Sequence, residues 1–469
     1  MSHAFTTFHP RQREGLLLGR RNLFKASLAG IAGLSLPTLL RAAPSAKPKK
    51  SLILLWMAGG PSHIDTLDPK PDRPPENRGP FGTIATKLPG VRVCEHLPKL
   101  AGMLDKFTVI RSVDCRGSNH EPNTVMQTAN KLAEPRVNPE AKEYPAIGSL
   151  VAKFRGSNHP GVPAYAAFQR SRTHLAYGGR LGPAFDPFLV NTAVKLPVYD
   201  LVGKDTGKVS NGGAFDLPGG VDAERLDSRL KLADRFDRLR TLAESSPHLD
   251  GFDKHTKSAA ELVLSGRVRD ALDLGKEPEK THEKYGKHLW CQQTLMARRL
   301  TEAGVPFVTL DLSYHTASGT WDTHGDNIPP YGGISKGLGP LLPLFDGLIT
   351  TLVGDLADRG TLDDTLVIAM GEFGRTPKIG TQDSTDGRDH WANVMSMLVA
   401  GGGLKHAQVI GSSTADGGYV NDRPVTPGDL AATIYHYFGV SLDETYPDRT
   451  GRPYHLLPDG GTPVKELVG

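Results

Sequence analysis

The amino-acid sequence predicts an α/β fold, in which a doubly wound, mostly parallel sheet carries helices on both faces. Its apolar runs are nearly continuous rather than alternating, as expected of strands that are buried on both faces. These runs alternate with segments of helical periodicity, a pattern that favours a parallel sheet. The five predicted strands lie within residues 51–60, 107–113, 305–314, 364–373 and 393–403.

The intervening segments predict the helices. A helical stretch before the third strand ends at Gly304, and glycine is a common residue just after a helix. A second helix is predicted from about 341 to 359, and a third over 427–439. The charged segment at about 222–285 has a helical period and predicts a helical insertion. The proline-rich segment 68–90 predicts an extended loop.

The charge of the chain is concentrated at its start. The formal net charge is +4, but residues 1–46 carry six Lys or Arg and one Glu, a net of +5. The remainder therefore has 49 basic and 51 − 1 = 50 acidic residues, a net of −1. A basic surface for nucleic acid is not indicated, and we expect no nucleic-acid partner.

The first residues resemble a twin-arginine export signal. Arg20–Arg21 precede a weakly apolar, small-residue run in "GRRNLFKASLAGIAGLSLPTLL". We predict a signal peptide over residues 1–46 and export by the twin-arginine machinery to the periplasm or beyond the cell. An amphipathic helix or a membrane anchor is the alternative, but Pro37 interrupts the run, which is shorter than the ~20 residues that a bilayer needs. We expect no membrane span in the mature protein.

The three cysteines, Cys94, Cys115 and Cys291, form no C-x-x-C pair. This spacing argues against a thiolate zinc site and against a disulfide scaffold. A single bridge between Cys94 and Cys115 remains open.

Imidazoles and carboxylates follow the predicted strands. Ligands of open α/β sheets bind beyond the carboxyl ends of the strands, so we expect these side chains to meet at one edge. Mixed nitrogen and oxygen ligands suit zinc, manganese or iron better than calcium. The candidates, in chain order, are His63, Asp65, Asn119, His120, Glu121, Asp311, His315, Asp322, His324, Glu372, Asp389 and His390.

Some of these residues also have simpler interpretations. The stretch "WDTHGDN" at 321–327 is rich in turn-forming residues. Glu372 is either a carboxylate at a helix start, paired with Arg375, or a ligand. Arg375 is either that partner or a bidentate binder of sulfate or phosphate. Asp389 is interpreted as orienting a metal-bound histidine rather than touching the metal.

Seven stretches from about residue 50 to the C-terminus carry a family resemblance. They are "LILLWMAGGPSHIDTLDPKP", "RSVDCRGSNHEPNTVMQTANK", "LGPAFDPF", "ARRLTEAGVPFV", "WDTHGDN", "DTLVIAMGEFGRTP" and "GRDHWANVMSMLVAGGG". Together they resemble exported bacterial proteins of the domain of unknown function 1501 family, which in turn resembles the alkaline phosphatase and sulfatase superfamily. The resemblance implies that residues 47–469 form one such α/β domain with a two-metal site at the carboxyl edge of its sheet, and we predict one or two divalent ions, zinc or manganese.

The resemblance also implies residue roles. Asp322 and His324 match an Asp–His metal-binding pair, for which Asp311 and His315 are the alternative. Phe373 stands where a second histidine is usual. The implied metal ligands are His63, Asp65, Asp322, His324, Glu372 and His390.

The implied nucleophile is the main departure. Enzymes of the superfamily carry a Ser, Thr or Cys nucleophile about nine residues before a Thr at a helix end, which Thr128 matches here. The position nine residues before Thr128 is Asn119, which cannot act as an oxygen or sulfur nucleophile, and a shift of the alignment by one residue would admit Ser118. Cys115 lacks the C-x-P-x-R arrangement of sulfatases. His120 is the predicted general acid or a further ligand.

The sequence thus predicts an exported metal-dependent hydrolase of sulfate or phosphate esters, acting through metal-activated water or an unidentified nucleophile. Its substrate would be a sulfated or phosphorylated small molecule or polysaccharide. The alternative is a non-catalytic exported protein that binds a glycan or a surface partner, since a fold does not by itself confer an activity.

Overall fold

The computed structural model describes residues 49–118, 124–195, 210–211, 224–225, 228, 265–315, 319–327, 329–380, 383–448 and 450–469. The predicted signal peptide lies outside the described residues, as does most of the predicted helical insertion. Residues Lys49–Gly469 form one compact unit.

The strands follow the apolar runs of the sequence, and several short strands lie in segments where none was predicted. In chain order they are β1 (Ser51–Trp56), β2 (Thr83–Ala85), β3 (Arg92–Cys94), β4 (Phe107–Val113), β5 (Tyr165–Phe168), β6 (Phe188–Leu189), β7 (Val194–Lys195), β8 (Ser210–Asn211), β9 (Phe307–Asp311), β10 (Thr365–Met370), β11 (Gly374–Arg375), β12 (His390–Trp391), β13 (Met395–Gly401), β14 (Gln408–Ile410), β15 (Ser412–Ser413), β16 (Val420–Asp422), β17 (Thr445–Pro447) and β18 (Pro453–His455).

The helices include the three that the sequence predicts, and their ends agree with the expected signals. Gly304 follows α8 with a left-handed φ of 111°, and Thr426 begins α10 with a capping box. The helices are α1 (Pro75–Arg78), α2 (Pro98–Gly102), α3 (Val125–Thr128), α4 (Ile147–Phe154), α5 (Val190–Ala193), α6 (Arg267–Leu272), α7 (Glu279–Tyr285), α8 (Leu289–Ala303), α9 (Gly339–Asp358), α10 (Pro427–Phe438) and α11 (Lys465–Val468).

The main sheet of the described residues has eight strands in the order β14-β4-β13-β10-β1-β9-β5-β6. Seven of them run in one direction, and β13 runs antiparallel between β10 and β4. The carboxyl ends of the seven strands therefore lie at the same edge of the sheet. The amino end of β13 lies there too, which brings the preceding loop to this edge. The mostly parallel α/β fold is confirmed.

The two faces of the sheet are covered by separate apolar clusters. Successive side chains of a strand point to opposite faces, and β1 shows this directly. Ile53 and Leu55 pack in the cluster that contains α8 and α9. Leu52 and Leu54 pack in the cluster that contains α4 and α10. The prediction of helices on both faces is confirmed.

One helical stretch of the described residues, Gly333–Asp358, is long and apolar enough to cross a membrane by length and composition. Of its most apolar window, 56% is buried inside the fold. Its apolar side chains, among them Phe345 and Leu352, belong to the cluster under the sheet. This burial is that of a core helix.

The three cysteines are buried free thiols. The bridge between Cys94 and Cys115 that the sequence left open is therefore absent, and the core around each sulfur is apolar in composition.

The loop after β9 lies directly on the loop after β1. Trp321 N donates to Ala58 O at 3.0 Å. Gly319 has a φ of +130°, and a Cβ built on it would lie 2.1 Å from the carbonyl carbon of Ala58. Only glycine allows this approach of the two backbones.

We expect Gly319→Ala to destabilise the protein more than Gly90→Ala does. Gly90 also has a positive φ, +77°, but nothing lies within 4 Å of the position of its Cβ. Both variants share the cost of a left-handed alanine, and only Gly319→Ala adds overpacking, worth about 1–3 kcal/mol. Urea unfolding of the two variants measures this difference in the free energy of unfolding. Equal losses would mean that the loops separate without cost.

Candidate metal centre

Backbone contacts bring the loops that precede β13 and follow β9 together at the carboxyl edge. Arg388 N donates to Thr323 O at 2.8 Å. A Cβ on Gly387 would lie 2.0 Å from His324 O, so a side chain at position 387 would force the loops apart. This contact is what places His390 beside Asp322 and His324, although the sequence separates them by more than sixty positions.

Asp322, His324 and His390 converge. Their ligand atoms all lie within 4.8 Å of one another, and they form the one such group of three among the described residues. An ion bound at about 2.0–2.2 Å from each ligand keeps its ligand atoms no more than about 4.4 Å apart. A small closure of these side chains therefore suffices to bind a divalent ion. The imidazole centroids of His324 and His390 are 4.3 Å apart.

Both ring nitrogens of His324 face carboxylates. Its Nδ1 lies 2.5 Å from Asp322 Oδ1, and its Nε2 lies 3.1 Å from Asp389 Oδ1. Two lone pairs at 2.5 Å repel, so a proton lies between Nδ1 and Asp322 Oδ1, and an ion bound at about 2.0–2.2 Å from both atoms would need them farther apart. If an ion replaces this proton and Nε2–H donates to Asp389, the Nδ1 lone pair is available to the ion. Imidazole and carboxylate together suit zinc or manganese, so the residues fit the predicted ion.

Asp389 contacts both histidines of the centre. Besides Nε2 of His324, its Oδ1 accepts a hydrogen bond from His390 N at 2.7 Å. Its side chain is 40% exposed, whereas that of Asp322 is fully buried. The structure thus places Asp389 where a carboxylate orients a metal-binding histidine and fixes its tautomer.

Three of the six implied ligands lie outside the group of three. Asp65 pairs instead with Arg388, at 2.7 and 3.2 Å, and accepts from Ser62 Oγ at 2.5 Å. His63 Nε2 lies 2.8 Å from Gly417 O, and burial lowers the pKa of His63. Glu372 is buried, and its Oε1 accepts from Gly59 N at 2.8 Å.

Arg375 does not occupy the predicted oxyanion-binding position. Its side chain is fully buried, and its guanidinium contacts only protein groups of the edge in the described residues. Nη1 lies 2.9 Å from Asp322 Oδ1, Nε donates to Gly60 O at 2.9 Å, and Nη2 donates to Gly59 O. Because these N–H groups bind protein acceptors, the guanidinium links the loops after β1 and β9 and does not face a substrate.

In the alternative ligand pair, Asp311 and His315, the carboxylate of Asp311 contacts His174, a residue that the sequence did not indicate. Asp311 Oδ2 lies 2.9 Å from His174 Nδ1 and accepts from Arg170 N at 2.8 Å. Burial lowers the pKa of His315 to about 4, and the neighbouring His174 acts in the same direction. His174 lies in the loop after β5, a strand that the sequence did not predict, so no spacing signalled it. Tyr331 lies between the two groups, 5.9 Å from His315 and 6.0 Å from His324 by ring centroids.

The remaining catalytic candidates follow β4. Ser118 is 9% exposed and lies in a turn in which its N–H donates to Cys115 O at 2.9 Å. Burial raises the pKa of the Cys115 thiol far above its usual range, so this sulfur stays protonated and is a poor nucleophile. The predicted general acid His120 lies outside the described residues, with Asn119 and Glu121.

Solved structures resemble the chain weakly. They include Ps i-CgsB in complex with k-i-k-neocarrahexaose, with 12% identity, a TM-score of 0.38, and 84% of this chain and 73% of that chain covered. The PsFucS1 sulfatase from Pseudoalteromonas sp. has 11% identity, a TM-score of 0.37, and coverage of 83% and 68%. The lipoteichoic acid synthase LtaP from Listeria monocytogenes has 10% identity, a TM-score of 0.38, and coverage of 89% and 79%.

No curated protein matches the sequence. A family model, described as "Protein of unknown function (DUF1501)", matches residues 49–468, which is nearly the whole of the described unit and includes every residue of the candidate centre. The chain therefore belongs to the DUF1501 family.

Proposed function

We propose that this protein is an exported metal-dependent hydrolase of sulfate or phosphate esters. The observation that carries the proposal is the convergence of Asp322, His324 and His390 at the carboxyl edge of the sheet, within 4.8 Å of one another. Ligands bind at this edge in open α/β folds. Two imidazoles and a carboxylate are also the donor set of many hydrolytic zinc sites.

Each residue of the candidate centre has a separate proposed role. Asp322, His324 and His390 hold the ion, and Asp389 orients His324 through its Nε2–H. Arg375 fixes the position of Asp322, because its Nη1 lies 2.9 Å from Asp322 Oδ1. A divalent ion held here would polarise the ester and lower the pKa of a bound water. We propose water as the nucleophile, because Asn119 has no nucleophilic oxygen or sulfur, the Cys115 thiol is buried, and Ser118 is only 9% exposed.

The proposed substrate is a sulfated or phosphorylated small molecule or polysaccharide, met outside the cytoplasm. The resemblance of the sequence motifs to the alkaline phosphatase and sulfatase superfamily supports this ester class. The resemblance of residues 1–46 to a twin-arginine signal supports the proposed location, since such signals direct export.

A second candidate is a non-catalytic glycan- or surface-binding protein that retains the metal. It is favoured by the burial of Arg375, because the cation predicted to bind the oxyanion does not reach a substrate. Incubation of the zinc- or manganese-loaded mature protein with aryl sulfates, aryl phosphates and sulfated polysaccharides separates the two. Turnover that His390→Ala abolishes supports the hydrolase. Polysaccharide binding without turnover of any member supports the second candidate.

We expect His324→Ala to fold and to lose metal affinity by at least ~10–100-fold, the loss typical of residues that only support ligands. Asp326→Ala is the matched control from the same turn, because Asp326 is exposed and contacts Ser384 Oγ at 3.1 Å rather than the centre. Competitive zinc titration of both variants measures the difference. Unchanged affinity in His324→Ala would move the assignment to Asp311 and His315.

Asp389→Ala should weaken zinc binding by ~10–100-fold, because His324 loses the acceptor that fixes its tautomer. Asp389→Asn keeps an acceptor oxygen and should recover part of the affinity. Nitrogen NMR of the His324 ring reports the tautomer directly. Equal affinity in wild type and Asp389→Ala would show that the contact at 3.1 Å is incidental.

Replacement of Arg20–Arg21 by Lys–Lys should retain the precursor in the cytoplasm, since the twin-arginine machinery recognises the arginine pair. Cell fractionation and immunoblotting of the two forms measure this. Export of the Lys–Lys form at the wild-type level would overturn the signal assignment.

A further inference from the structure

We propose that the centre binds one divalent ion, and that Arg388 and Arg375 prevent Asp65 and Asp322 from binding a second ion. This inference rests on the proposed function, because it presupposes that Asp322, His324 and His390 bind an ion at all. It differs from the two-metal site that the resemblance implies.

Arg388 pairs with the first of these carboxylates, Asp65. Asp65 is the carboxylate among the two implied ligands after β1, His63 and Asp65, either of which would stand in for the superfamily's metal-binding Asp. Both side chains of the pair are fully buried, with Arg388 Nε 2.7 Å from Asp65 Oδ2 and Nη2 3.2 Å from Oδ1. This is bidentate pairing, the strongest arrangement between these groups. Both oxygens of Asp65 are therefore used.

Arg388 is itself fixed in place. Its Nη1 donates to Thr376 O at 3.0 Å and to Pro377 O at 2.7 Å, and its Nη2 donates to Asn77 O at 2.7 Å. A guanidinium with several backbone acceptors cannot swing away without leaving buried carbonyls unpaired. Asp65 consequently cannot turn to an ion in the folded protein.

Arg375 pairs with the second of these carboxylates, Asp322. Its Nη1 lies 2.9 Å from Asp322 Oδ1 and 3.5 Å from His324 Nδ1. Gly59 O, Gly60 O and Arg388 O accept its other hydrogen bonds. With Oδ1 held by this fixed guanidinium, Asp322 cannot give one oxygen to each of two ions.

Each of the other implied donors has one ligand atom engaged by the protein. His63 Nε2 is bonded to Gly417 O, and Glu372 Oε1 accepts from Gly59 N. Asp311, the alternative, accepts from His174, Arg170 N and Ser171 N through a single oxygen.

The charges also favour a single ion. The Asp65–Arg388 pair is buried and neutral. A second divalent ion there would meet a buried guanidinium in a medium that screens charge poorly, so repulsion would oppose its entry. Beside His324, in contrast, the partly exposed carboxylate of Asp389 favours a cation.

The first test is the zinc content of the mature protein, stripped of metal, reloaded with excess zinc and desalted, as measured by elemental analysis. We expect one zinc per chain. Two zinc ions per chain would overturn this inference and leave the proposed function standing. A chain that retains no zinc would instead overturn the proposed function, and this inference with it.

A matched pair of variants tests the assignment of each carboxylate. Asp65→Asn and Asp322→Asn each neutralise a buried aspartate that is paired with a buried arginine. Asp65→Asn should retain one zinc with wild-type affinity, and Asp322→Asn should lose at least ~10-fold in affinity. A fall from two zinc ions to one in Asp65→Asn would make Asp65 a ligand and overturn the inference.

Electron paramagnetic resonance keeps the inference testable if Asp65→Asn does not fold. Manganese-loaded wild-type protein should give the spectrum of an isolated ion. The spectrum of an exchange-coupled manganese pair would overturn the proposal.

Discussion

The buried ion pair between Asp322 and Arg375 is the interaction on which the carboxyl edge depends. One guanidinium contacts Asp322 after β9, Gly59 and Gly60 after β1, and the carbonyl of Arg388 before β13. Removal of one partner of such a pair costs about 3–5 kcal/mol, because an uncompensated charge stays buried. The position of Asp322, and with it the candidate centre, therefore follows from Arg375.

A second constraint is the close contact of backbones. Gly319 lies against Ala58, and Gly387 lies against His324 O, so the three loops contact each other without intervening side chains. Side chains held by such loops have little freedom, which suits ligands that must keep their geometry before the ion arrives. The exposed member is Asp389, which leaves the entry to the centre on the solvent side.

The residues around Asp311 form a second polar group beside the candidate centre. His174 contacts Oδ2 of Asp311 inside the fold, while Tyr331 contacts both His315 and His324 with its ring. The pKa of His315 is lowered to about 4 because burial disfavours its charged form, so this imidazole is neutral near pH 7. It therefore adds hydrogen-bonding capacity beside the centre without adding positive charge.

The sequence by itself determined the central strands β1, β4, β9, β10 and β13, the helices α8, α9 and α10, and the edge at which polar residues collect, because apolar periodicity and caps are local signals. Strands β5, β6 and β14 escaped prediction, since they have only four, two and three residues. Only the tertiary structure decided that β13 is antiparallel, which brings His390 to the edge. It also decided that Asp65 pairs with Arg388, 323 positions away, and that Arg375 is buried. Local pattern shows that a carboxylate stands at a strand end, but whether an arginine or an ion neutralises it depends on residues that only folding brings near.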